Sequence, residues 1–263
     1  MAISYGNHTV AIANVGSLGT TELLAQFADI DMFLAPLAVC SASYARHCAL
    51  RSRTAYTILD SGALEVAIGT ECTEIGPDEL LDLAMTLGVR EVVATDSPHE
   101  PRASLMRTCE CIEAWHRLPR TSRPRLMVVP HGTSSADWLD NASKLIRRVG
   151  TCTVGIPRVL AQYCAADTSL FRVDLSLKLR CKHPDVDVHL LGAGPDFLEE
   201  LEAVKGSGTI RSVDSTFVHR YAFTGTPADG EYVKPLRLRD STVPIGYMAR
   251  AAALAKRVAL ALT

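Results

Sequence analysis

Eight short apolar runs recur along this chain, most of them followed by a longer segment with helical periodicity, and this alternation constrains the fold more than any other feature. The runs cover 9–14, 32–39, 56–60, 91–96, 125–130, 151–157, 187–192 and 209–214. Nearly unbroken apolar runs suit strands buried on both faces, as in the parallel sheet of repeated βα units. Helices are predicted between them, over 20–27, 43–51, 77–87, 101–117, 135–148, 169–180, 195–204 and 244–262. Pro77, Asp78 and Glu79 after Gly76 give one helix a clear start, and Gly88 gives it a stop. Eight strands and eight helices in 263 residues predict an α/β fold, a single (β/α)8 TIM barrel spanning 1–263 as one domain. A doubly wound open sheet is the alternative. The phosphate-binding turn it would need is missing, because Gly192-Ala193-Gly194-Pro195 lacks the third glycine.

Composition narrows the partners. Twenty-seven Lys and Arg against 29 Asp and Glu leave a net charge of -2, which excludes a uniformly basic polycation but not local basic loops. No apolar stretch reaches the roughly 20 residues of a membrane span, and the N-terminus has no basic-then-apolar leader pattern. The expected location is a cytoplasm. The eight cysteines read as reduced thiols. Cys109 and Cys111, with His116 nearby, resemble half a zinc site, but they fall in a predicted helix without further ligands at usable spacing.

In such a barrel, catalytic groups project from the C-terminal ends of the strands. Here those ends read Asp60-Ser61-Gly62, Asp96-Ser97-Pro98, Pro130-His131-Gly132, Gly155-Ile156-Pro157, Gly192-Ala193-Gly194 and Asp214-Ser215-Thr216. One such Asp is readily a helix N-cap. Three around one mouth repel each other unless a ligand or shifted protonation relieves them. Two carboxylates flanking a sugar suit displacement at an anomeric carbon, and a third suits the N1–H and amino group of a guanine-like base.

These strand ends, in this order, resemble the tRNA-guanine transglycosylase family, whose catalytic domain is a (β/α)8 barrel. Asp60-Ser61-Gly62-Ala63-Leu64-Glu65 resembles its Asp-Ser-Gly-Gly-aromatic-Gln motif, and Val93-Ala94-Thr95-Asp96 its base-recognising strand. Val129-Pro130-His131-Gly132 stands where the family has Val-Gln-Gly, and Val154-Gly155-Ile156 where its glycines meet the base carbonyl. His189-Leu190-Leu191-Gly192-Ala193-Gly194 resembles Leu-Met-Gly-Val-Gly, and Arg211-Ser212-Val213-Asp214 the strand of the nucleophile.

The resemblance implies Asp214 as nucleophile, Asp60 as general acid/base, and Asp96, His131, Gly155 and Ile156 around the base, with Leu64 and Leu191 over its faces. No cysteine follows Asp214, so the family's zinc subdomain has no counterpart. That points to the compact phage-type branch, which exchanges guanine in DNA for a 7-deazaguanine such as 7-cyano-7-deazaguanine and uses neither metal nor cofactor. DNA is then the expected partner, with RNA as the alternative. Phosphate contacts are expected from Arg46, Arg51, Arg53, Arg158, Arg220, Lys234, Arg237 and Arg239 near the mouth. Two further readings stay open: a non-catalytic nucleic-acid-binding barrel, and a lyase or aldolase barrel. The second is weakened by the lack of a strand-end Lys for a Schiff base.

Overall fold

The computed structural model describes residues 11–15, 30–67, 73–164, 168–192, 200, 202–204 and 207–215. Eight strands close into a parallel barrel in sequence order: β1 (Ala11–Val15), β2 (Ile30–Leu34), β3 (Tyr56–Asp60), β4 (Glu91–Val93), β5 (Arg125–Val128), β6 (Thr153–Pro157), β7 (Asp187–Leu191) and β8 (Ser212–Ser215). The last pairs with the first, Asp214 beside Ala13. Closure decides against the open doubly wound sheet.

In-register neighbours face the same side of a parallel sheet, so the pairings identify the interior. Met32, Ile58, Glu91, Met127, Thr153, Gly155, His189, Ser212 and Asp214 point inward. Phe33, Leu59, Val92, Leu126, Val128, Val154 and Val188 point outward and are fully buried under the helices. The outward face is apolar at these positions, and the inward face sets polar groups among Met32, Ile58 and Met127, so the strand runs read as apolar with a few polar residues within them.

The described helices are α1 (Ala35–Cys40), α2 (Ala42–Arg51), α3 (Ala63–Ala67), α4 (Pro77–Leu87), α5 (Pro101–Arg117), α6 (Ser135–Val149), α7 (Val159–Tyr163) and α8 (Thr168–Lys182). α4 spans the predicted residues and stops at Gly88, whose φ of 68° is the left-handed helix cap. The Ser134 hydroxyl caps α6 by accepting from the Asp137 N–H.

Strand expectations are corrected: the run 91–96 is strand only to Val93, and the run 209–214 only from Ser212. The run 32–39 is strand only to Leu34, and its second half is α1. Pro36 is the reason: it has no N–H for a central ladder but fits the first turn of a helix, where that N–H would be unpaired. The short helices α3 and α7, of five residues each, are too brief to show a helical period in the sequence. The predicted helices over 20–27 and 244–262, and the loop after Ser215, lie outside the described residues.

The barrel floor is polar. Tyr56, Glu91, Arg125, Thr153 and Asp187 each open a strand, and Arg211 immediately precedes β8. Arg211 reaches across the barrel to Glu91 at 2.9 Å and to the Thr153 hydroxyl at 3.2 Å. Tyr56 Oη donates to the same Glu91 oxygen at 2.9 Å, and Arg125 pairs with Asp187 at 2.8 Å. Burial pushes the Glu91 carboxyl upward, but Arg211, Thr153 and Arg125 outweigh it and hold the group below the usual carboxylate range.

Candidate active site

Asp60 ends β3, Asp96 lies three residues beyond β4, and Asp214 is the third residue of β8. Each is met by a different donor set. Gly62 donates its N–H to Asp60 Oδ1 at 2.8 Å, and Gly192 donates its N–H to Asp214 Oδ1 at 2.9 Å. Both glycines are left-handed, with φ of 73° and 70°, a conformation that turns the backbone N–H back toward the strand's carboxylate. The Asp-Ser-Gly and Leu-Gly sequences are thus turn devices as well as motifs.

Asp214 is 7% exposed, and its Oδ1 also lies 3.1 Å from Nε2 of the fully buried His189. No hydrogen bond reaches its Oδ2 among the described residues. His189 stands mid-strand in β7, inside a run that the sequence marks by hydrophobicity and not by function. The signal was present in Asp-Val-His-Leu-Leu: strand alternation puts this lone imidazole on the inward face with Leu191.

A second imidazole serves Asp96. His131 Nε2 is 2.7 Å from Asp96 Oδ2, with both residues buried. Facing a carboxylate oxygen, that nitrogen carries the ring proton. Nδ1 of His131 is buried without a hydrogen-bond partner among the described residues, as is the Ser61 hydroxyl. The His131 loop is held from α6, where Asn141 donates to the His131 carbonyl at 2.9 Å and Trp138 to that of Pro130 at 2.8 Å. Beside Asp96 a cleft of about 190 Å³ opens between the β3 and β4 loops, lined among others by Ser61, Ile75, Thr95, Ser97 and Arg107. Arg107 pairs with Glu74 at this cleft.

The remaining expected base-binding residues divide. Leu64 is exposed on α3. Leu191 lies over Gly155, where an added Cβ would come within 2.5 Å of the leucine, so this glycine makes room for Leu191 in the barrel interior. The Ile156 carbonyl accepts from Arg172 Nη1 at 3.1 Å, and the same nitrogen reaches the Leu191 carbonyl at 2.8 Å. Arg172 is itself gripped by both carboxylate oxygens of Glu200, at 2.8 and 2.5 Å. Gly155 and Ile156 are therefore wall positions, and Arg172 staples β6 to β7 just below the mouth.

The expected phosphate contacts are partly corrected. Arg51 closes α2 and Arg53 follows it in the turn entering β3, which puts both at the N-terminal face of the barrel, away from the mouth. Arg51 donates to Asp31 Oδ2 at 2.6 Å, closing an ion pair with the second residue of β2. The sequence places these arginines after a strand, but α2 carries the chain back to the floor before they occur. Arg46 is exposed on α2, and Arg158 directly follows β6 at the mouth. Arg220, Lys234, Arg237 and Arg239 lie outside the described residues. Cys111 sits in the core of α5, its thiol pushed up by burial to about 11, which is unfavourable for a thiolate ligand.

No protein-family model matches the chain. No curated protein matches it significantly. Solved structures do. A putative fructose-1,6-bisphosphate aldolase from Coccidioides immitis is similar over 97% of this chain and 91% of its own, at 14% identity and TM-score 0.62. The YdjI aldolase of Escherichia coli K12 covers 96% and 89%, at 12% identity and TM-score 0.59. The tryptophan synthase complex of Pyrococcus furiosus covers 96% of both chains, at 10% identity and TM-score 0.54. The chain has the TIM-barrel fold. None of these structures is a guanine transglycosylase, and at such identities the likeness extends to the fold alone. Among the described residues, no helix is long and apolar enough to cross a membrane.

Proposed function

We propose that this protein is a base-exchange transglycosylase that replaces guanine in DNA with a 7-deazaguanine through a covalent link between Asp214 and the sugar. The observation that carries this reading is the state of Asp214: nearly buried at the end of β8, with Oδ1 fixed by Gly192 and His189 and no hydrogen bond on Oδ2 among the described residues. A carboxylate held in this way has one oxygen committed and one left to attack. Asp60 on β3 and Asp96 beyond β4 supply the two further carboxylates that base exchange calls for.

The target nucleotide is extruded into the mouth, since a stacked base hides its glycosidic bond. Asp214 Oδ2 forms a bond to the anomeric carbon as the bond to guanine breaks. Guanine leaves with that electron pair and takes a proton from Asp60. The incoming deazaguanine returns a proton from its ring nitrogen to Asp60, attacks the anomeric carbon and displaces Asp214, so that two inversions restore the starting configuration. Asp96, oriented by His131, accepts from the Watson–Crick edge of the base, and Nδ1 of His131, which has no hydrogen-bond partner among the described residues, adds another acceptor. Leu64 and Leu191 flank the base, and Arg158 meets phosphate at the rim.

The test is incubation with labelled guanine and either duplex DNA or tRNA. Label in DNA is the expected result, and it should vanish in Asp214→Asn together with any trapped protein–nucleic-acid adduct. Label in tRNA alone would move the assignment to the RNA enzyme. Undiminished exchange by Asp214→Asn would overturn the mechanism, and label in neither polymer would leave a binding barrel.

A further inference from the structure

We propose that His189 is the positioning residue of Asp214, and that a line of hydrogen-bond donors starting from Arg211 on the barrel floor fixes its orientation. The inference deepens the reading of Asp214 as the attacking group and rests on it. The observations form one chain. Arg211 Nε donates to the Ser212 hydroxyl at 3.1 Å, Ser212 Oγ lies 2.7 Å from His189 Nδ1, and His189 Nε2 lies 3.1 Å from Asp214 Oδ1. Ser212 and His189 are fully buried, Arg211 is 8% exposed, and Ser212 and His189 are register partners on β8 and β7. Buried polar groups in such a line must satisfy one another.

The direction of the line follows from the chemistry of its ends. A guanidinium only donates and a carboxylate only accepts. At the upper end, Nε2 must carry the ring proton, because a bare nitrogen facing Asp214 would set lone pair against lone pair. A neutral ring then has a bare Nδ1, which needs a donor, and the Ser212 hydroxyl is the group beside it. At the lower end, Arg211 occupies a Ser212 lone pair, which steers the hydroxyl proton toward the imidazole. Arg211 cannot swing away, since Glu91 and Thr153 hold its other nitrogens. One ring tautomer satisfies every group.

The consequence lies at Asp214. With Gly192 on the same oxygen, His189 ties down Oδ1 and leaves Oδ2 as the single reactive oxygen, at a fixed angle to the bound sugar. The ring touches the Asp214 carboxylate, so it acts through Asp214.

Ring nitrogen shifts of ¹⁵N-histidine protein test this without any assay of activity. The expected spectrum shows His189 with its proton on Nε2, and Ser212→Ala should move it toward a mixture of tautomers. A proton on Nδ1, or a spectrum unchanged by Ser212→Ala, overturns the proposal. Kinetics give an independent arm. His189→Leu removes the donor and should lower kcat about 10- to 100-fold with KM little changed. His189→Gln restores a donor near the Nε2 position and should stay within about threefold of the parent. Equal losses in the two variants, both folded, would reduce His189 to packing. Nε2–H with no base exchange on either polymer upholds the positioning and sinks the transglycosylase reading, whereas Nδ1–H with exchange intact does the reverse.

Discussion

A glycine after each of two strands aims a backbone N–H at a carboxylate, and this detail separates conformational from steric cost. Among the described residues, an added Cβ at Gly192 would meet only the Arg158 Cβ, at 3.9 Å, so none of them limits the space, but φ is +70°. Gly192→Ala should therefore cost about 1–2 kcal/mol of stability, the price of a left-handed L-residue. If the backbone relaxes to avoid that strain, the N–H leaves Asp214 Oδ1 and exchange falls further than stability alone predicts. Urea unfolding and the exchange assay on the same preparation check both parts. At this scale the sequence displayed the carboxylates and the glycines beside them. It did not display His189 as their partner, because a lone imidazole in an apolar strand acquires a role only from the strand next to it.

Helix α6 shows how an element holds a site it does not enter. Gly132 follows His131, and an added Cβ there would lie 2.5 Å from the Trp138 backbone nitrogen and 2.8 Å from its Cα. Backbone cannot yield as a flexible side chain does, so Gly132→Ala should destabilise the protein by about 3 kcal/mol. It should also shift His131 away from Asp96; the urea midpoint and the His131 ring signals would report the two effects. Helix boundaries were legible where caps mark them, as at Pro77 and Gly88. They are hidden at 35–40, where an apolar run continues through a change from strand to helix and only Pro36 marks the junction. The face that Arg51 and Arg53 occupy is hidden for a related reason: sequence order gives which strand they follow, and the length of α2 gives which face they reach.

The whole barrel carries an acid sensitivity at its floor. Glu91 titrates below its unfolded value because Arg211, Thr153 and Arg125 outweigh its burial. Its contribution is present above the unfolded value of about 4.3 and is lost as pH falls toward the folded value, where the unfolded chain binds the proton first. The urea midpoint should thus drop on acidification below about pH 5. Glu91→Gln should be destabilised by about 3–5 kcal/mol at neutral pH, since it strands a buried Arg211, and its midpoint should depend less on pH in that window. Asp31 contributes the opposite slope, because burial raises it despite Arg51, and it is common to both proteins. Comparing the two chains isolates Glu91.

The sequence by itself determined the barrel class, the eight strands in order and the three carboxylates at or beyond strand ends, because hydrophobic period and turn residues are local properties of a chain. Tertiary structure alone decided that His131 meets Asp96, that His189 meets Asp214, that two expected arginines face the floor, and that Glu91 is paired across the barrel with a residue 120 positions away. Those pairings depend on how far each strand slides past its neighbour before the sheet closes. A shift of one residue would turn every inward side chain outward, and the register is set by all eight strands packing at once.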